Sequence, residues 1–161
     1  PAKRIELLRT GALFHDLGKI GIPDSILQKP GPLTPEERTV IQTHPLRGVG
    51  ILENMDAYKD ILIFVRNHHE RYDGGGYPDG TAGEDLPLEV YILGAADSYD
   101  AITSARPYCT ARTPQDAGRI LRAEAGKQFH PAVAEITAAL AESGELTRCI
   151  PPQEETGGGV C

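Results

Sequence analysis

Nowhere does this chain alternate apolar and polar residues with the period of two that marks a half-buried strand. Helix-start signals recur instead. At Thr34-Pro35-Glu36-Glu37, Thr34 can cap, Pro35 suits the first helical position, and Glu37 completes a capping box. That helix is expected to run to about Leu52. Thr113-Pro-Gln-Asp opens another, to about Ala125. Ile5, Leu8 and Leu13 share a helical face, on a helix ending near His15. Apolar content places further helices at about 59–71, 88–104 and 131–143. Glycine and proline break the chain between them, at 18–24, at 30–34 and over a long loop at 73–87. Loops of that length inside a domain are usually functional. The expected class is all-α, with no internal repeat.

At 161 residues the chain is long enough for one domain with a buried core, expected over 1–148, followed by a polar, glycine-rich tail at 149–161 that should fray. Trp is absent and aromatics are 6%, so that core must be built from Leu, Ile, Val and Ala. Against 23 Asp and Glu stand 16 Lys and Arg, a net charge of −7. This excludes a broad nucleic-acid surface, and with it DNA as a partner. It leaves room for a small phosphate ligand, which needs only two or three placed cations, and it suits a metal site. Cys109, Cys149 and Cys161 lie far apart with no CxxC, which excludes a zinc finger and favours a reducing compartment. No apolar run approaches the roughly 18 residues of a membrane span. Without a signal peptide, the expected location is the cytoplasm. The chain has no initiating Met and reads as a fragment or processed piece.

Four of the five histidines fall in the first 70 residues. His15-Asp16 is followed by Lys19. Alone, such a pair is well explained by a capping Asp beside a partly buried His. His44, expected near the middle of the 34–52 helix, is neither a favoured helix former nor a good core residue. Taken alone it reads as an ordinary satisfied histidine. His68-His69 is more informative. Neighbouring helical residues point about 100° apart, so this pair should flank a site from two sides or serve two metals. Asp97 lies in the apolar run Gly94-Ala-Ala-Asp-Ser-Tyr-Asp100, where a carboxylate must be paired or metal-bound. A pairing with Arg106 or Lys19 would serve equally. His and Asp donors without Cys suit Mn, Fe, Zn or Ni better than Ca or Mg. Two such ions can activate a water and stabilise a phosphoryl displacement.

In order along the chain, His15-Asp16-Leu-Gly-Lys19, His44-Pro45, His68-His69-Glu70-Arg71, Asp73-Gly-Gly-Gly-Tyr77-Pro78 and Asp97-Ser-Tyr-Asp100-Ala-Ile-Thr-Ser-Ala-Arg106-Pro-Tyr108 resemble the HD-GYP domain. This is a subgroup of the HD metal-dependent phosphohydrolases, and the resemblance covers about residues 5–140. It implies a helical bundle around a two- or three-metal site, with Fe or Mn as the metals. It implies hydrolysis of cyclic di-GMP to linear pGpG, and in some members on to GMP, by a metal-bridging hydroxide attacking phosphorus. His15, Asp16, His44, His68, His69 and Asp97 would be metal ligands, with Asp16 as the bridge. Asp16 and Lys19 would be catalytic, and Lys19 and Arg106 would contact phosphate. Asp100 would orient a ligand or Lys19 from behind. Tyr77 would either stack on a guanine base or anchor its loop.

The 74–78 loop would serve substrate access or contact a diguanylate cyclase domain. Cys109 stands where the family usually carries a basic residue, and Phe129-His130-Pro131 replaces the usual Phe-Asp-Pro. His130 is expected as a helix cap or surface residue. The family's core usually has one more helix before this start, carrying a further metal ligand. Its absence would leave an apolar face uncovered, and a homodimer could form there. The alternative is a non-catalytic module binding a cyclic dinucleotide or a cyclase. A third reading is an HD phosphohydrolase acting on other nucleotides, against which the Tyr77 loop argues.

Overall fold

The computed structural model describes residues 2–104 and 111–146. The expected tail at 149–161, together with Arg106 and Cys109, lies outside the described residues. The described part is helical, with no strand and one isolated bridge, between Ala125 and Phe129. Helix α1 spans Ala2–Phe14 and is followed by a 3₁₀ turn at Leu17–Gly21 and a short α2, Asp24–Leu27. Then come α3, Pro35–Ile41, and α4, His44–Leu52. A second 3₁₀ turn, Asp56–Ile61, leads into α5, Leu62–Asn67. After the long loop and a 3₁₀ turn at Gly83–Asp85 follow α6, Leu88–Thr103, α7, Pro114–Ala123, and α8, Pro131–Ser143.

Three helix starts follow the cap chemistry in the sequence. Thr34 Oγ1 accepts from the Glu37 backbone N–H at 3.2 Å, and the Glu37 carboxylate accepts from the Thr34 N–H at 2.7 Å. Thr113 accepts from Asp116 N at 3.1 Å. His130 caps α8, its Nδ1 accepting from Ala132 N at 3.2 Å, as expected of it.

Two helix ends differ from expectation. The helix from Thr34 does not reach Leu52 but stops at Ile41, and a new one begins at His44. Pro45 is the reason. It has no N–H for the carbonyl four residues back, and its ring blocks that carbonyl. His44 therefore opens a helix; it does not sit mid-helix. The helix expected over 59–71 begins as a 3₁₀ turn and ends at Asn67. Beyond it the chain turns away, with Tyr72 N bonding Gln128 O at 3.2 Å and Asp73 N bonding Lys127 O at 2.8 Å.

The core is aliphatic, as the composition requires: Ile61, Val65, Val90, Leu121 and Ala138 are essentially inaccessible. Helix α5 lies at its centre, packed on α1, α4 and α6. The turn at Leu17–Gly21 locks against α4 through Gly18, where a Cβ would fall 1.9 Å from the His44 carbonyl oxygen. Only glycine permits that approach. On the outer side, α6 and α8 enclose an apolar groove of about 450 Å³ lined by Leu88, Ile92, Val133, Ile136 and Leu140.

Candidate metal centre

Four donor residues meet at the junction of three helix ends. One atom each from Asp16, His44, His68 and His69 lies within 4.8 Å of all the others. Asp16 follows the end of α1, His44 opens α4, and His68 and His69 follow the end of α5. His68 is the C-cap of α5 and keeps right-handed helical backbone, at φ −63° and ψ −14°, while His69 follows beyond the helix. Their ring centroids are 4.1 Å apart, and both serve one group of donors.

Helix ends also orient the rings. The last carbonyls of a helix lack an N–H partner. Three of these carbonyls are taken by histidine side chains. His15 Nδ1 donates to Ala12 O at 2.6 Å, His44 Nδ1 to Ile41 O at 2.8 Å, and His68 Nδ1 to Val65 O at 3.0 Å. The Ile41 carbonyl is the one that Pro45 cannot serve. A carbonyl only accepts, so each Nδ1 carries the proton and each neutral ring keeps a bare Nε2.

Those bare nitrogens converge. His44 Nε2 lies 3.1 Å from His68 Nε2 and 3.3 Å from Asp16 Oδ1. His68 Nε2 is 3.9 Å from the same oxygen. His15 Nε2 is 3.3 Å from Asp16 Oδ2 and 3.9 Å from Asp97 Oδ1. With the rings neutral none of these contacts has a proton to share, and His15 Nε2 and Asp16 Oδ1 are buried without a hydrogen-bond partner. Lone pairs facing one another at this range repel unless a cation lies among them. Ligands about 2.0–2.2 Å from one ion stand roughly 3–4 Å from each other, as these do. The donor set therefore fits divalent metal, and the N/O chemistry fits a transition metal.

Electrostatics prepare the donors. Burial, reinforced by the neighbouring imidazoles, pushes His68 down to about 2, and burial likewise pushes His69 down to about 4. Both are neutral at pH 7. Burial alone would raise Asp16, but its contacts with His15, His44 and Lys19 outweigh this and hold it well below the usual carboxylate range. The Asp16 carboxylate beside it raises His15.

The remaining predicted residues divide. Lys19, on the 3₁₀ turn, donates to Asp16 Oδ2 at 2.5 Å and is brought to the site. Asp97, half-buried on α6, approaches through His15. Tyr77 stacks on His69, with centroids 4.8 Å apart and planes 27° apart, and meets His44 edge-on. That face of the ring anchors the loop. Asp100 does not join the cluster: it is exposed, accepts from Ser104 Oγ at 3.1 Å and borders the apolar groove. Asp97 and Asp100 are three residues apart on α6, yet the groove side takes Asp100. Arg106 is outside the described residues. Sequence reasoning gave no role to Arg66, Asn67, Glu70 and Asp79, which pin the 73–80 loop beside the cluster; a glutamate directly after two histidines was the available signal.

The description "HD domain" matches residues 2–133. The chain is 46% identical over 132 residues to the cyclic di-GMP phosphodiesterase response regulator RpfG of Xanthomonas campestris pv. campestris, covering 80% of this chain and 35% of that protein. It is 42% identical over 145 residues to a cyclic di-GMP phosphodiesterase of Vibrio cholerae, covering 86% of this chain and 30% of that one. It is 36% identical over 136 residues to a 3'3'-cGAMP-specific phosphodiesterase 2 of Vibrio cholerae, covering 81% and 26%. The chain thus spans about a third of the length of these relatives.

Proposed function

This chain belongs to the HD domain family, in its HD-GYP branch, and from that premise we propose that it is a metal-dependent phosphodiesterase opening cyclic di-GMP to linear pGpG and on to GMP. The observation that carries this reading is the set of bare Nε2 atoms around the unpartnered Oδ1 of Asp16. His44, His68, His69 and Asp16 would hold one ion, and His15, Asp16 and Asp97 a second, with Fe or Mn as the metal. Such ions, when bound, activate water and stabilise charge at phosphorus.

The protein's own groups supply the rest. The neutral imidazoles donate without first losing a proton. Asp16, held as an anion, faces both donor sets. Lys19, part-exposed at the mouth of the cluster, offers a point charge to a phosphate oxygen. Arg106 is assigned a second phosphate contact. The 74–78 segment is the face we assign to a diguanylate cyclase domain. A cytoplasmic setting fits this chemistry, and no helix among the described residues is long and apolar enough to cross a membrane.

The test is direct. The purified chain, loaded with Mn²⁺ or Fe²⁺, is incubated with cyclic di-GMP and, in parallel, with 3'3'-cGAMP, and products are resolved by chromatography. Linear pGpG from cyclic di-GMP is expected. Asp16→Ala should abolish turnover while leaving far-UV circular dichroism unchanged. Metal bound but no product from either dinucleotide would sink the hydrolytic reading.

A further inference from the structure

His69 differs from the other donors. His15, His44 and His68 are each aimed by a hydrogen bond to a carbonyl. Among the described residues no hydrogen bond orients the His69 ring. Its face is held by Tyr77 instead.

Tyr77 in turn is held by its loop, and the loop is clamped onto the end of α5. Glu70 Oε1 accepts from the backbone N–H groups of Asp79 at 2.7 Å and Gly80 at 3.1 Å. Arg66 donates twice to the Asp79 carboxylate, at 2.7 Å each, and Asn67 adds a bond at 3.2 Å. The backbone of Gly76 lies so close to residues 69–71 that a Cβ there would fall 2.4 Å from Arg71 N and 2.6 Å from His69 O. Tyr77 N donates to His69 O at 3.3 Å.

We propose that Glu70 is a positioning residue, which holds the loop at Asp79 and Gly80 and thereby keeps Tyr77 against His69 and His69 aimed at the metal centre. Glu70 is 6% exposed, and its other oxygen, Oε2, is buried without a partner among the described residues. Burying a half-paired carboxylate costs stability, a cost natural chains bear mainly at functional positions. The proposal rests on the metal reading above for its consequence, but the aiming of His69 can be read without metal.

The experiment uses histidine-labelled protein and NMR. In the metal-free wild type, stacking on Tyr77 shifts the His69 ring protons upfield. Glu70→Ala should remove that shift while leaving the His15 signals in place, and should lower Zn²⁺ affinity about 10- to 100-fold, as loss of an outer support does. Glu70→Gln keeps an oxygen for both N–H groups and should rescue both readouts. Gly76→Ala pushes the same loop away from the other side and should reproduce Glu70→Ala even if that variant fails to fold. Combined with Tyr77→Leu, Glu70→Ala should cost no further Zn²⁺ affinity. An unchanged His69 shift and unchanged Zn²⁺ affinity in folded Glu70→Ala or Gly76→Ala would overturn the proposal. A wild type that takes up no Zn²⁺ while its His69 shift still depends on Glu70 would overturn the metal reading and uphold the positioning.

Discussion

Burial and the charges around a histidine ring set its response to pH. For His68 and His69, burial and neighbouring rings lower the folded values to about 2 and about 4, from an ordinary 6.5. Between those limits the unfolded chain binds protons that the folded chain does not. Stability without metal is therefore present above 6.5 and lost as pH falls toward 4. His15 works in the opposite sense: its raised value adds stability at low pH that fades as pH rises through the folded value. One group against two offsets only part of the effect, and Asp16 acts below the ordinary carboxylate range, outside this window. The urea midpoint of metal-free protein is expected to be lower at about pH 5 than at about pH 7, and His68→Gln should flatten the difference. A midpoint that rises on acidification would contradict this assignment.

Between elements, the centre depends on how tightly the Leu17–Gly21 turn sits on α4. Gly18→Ala would place a Cβ 1.9 Å from His44 O and 2.5 Å from Gly48 N, both backbone atoms that cannot step aside cheaply. A loss of about 1–3 kcal/mol is expected from urea unfolding, with weaker Mn²⁺ uptake because His44 is displaced. Thr34→Ala, which removes a cap far from the donors, should cost about 1 kcal/mol and leave Mn²⁺ uptake unchanged. The contrast follows what the sequence could reveal. Helix starts at Thr34, Thr113 and His130 were legible because the capping residue itself carries the signal. The ends at Ile41 and Asn67 were not, since they depend on Pro45 freeing a carbonyl and on distant partners such as Lys127 and Gln128. Asp16, His44, His68 and His69, which meet, were legible as a motif. The convergence of His68 with His69 was not, because α5 closes with His68 as its C-cap and regular helical spacing does not extend to the second ring. Nor was Glu70, whose task exists only once the loop folds back on it.

For the molecule as a whole, an ion that binds only the folded state adds stability by mass action, about 2.7 kcal/mol at a free concentration 100 times its dissociation constant. For a chain of 161 residues that corresponds to a Tm rise of roughly 5–11 °C. Scanning fluorimetry with Mn²⁺ should show it, and Asp16→Ala should lose most of it; a wild-type Tm indifferent to metal would exclude the centre. The four donors that meet come from three segments, 16, 44 and 68–69, each at a separate helix boundary. Without metal these boundaries are free to fray one by one, as helix ends do. An ion shared among them acts as a removable cross-link. Amide exchange at the ends of α1 and α5 and the start of α4, independent in the chelated protein, should then slow together to one common rate, so that three local openings become a single cooperative event.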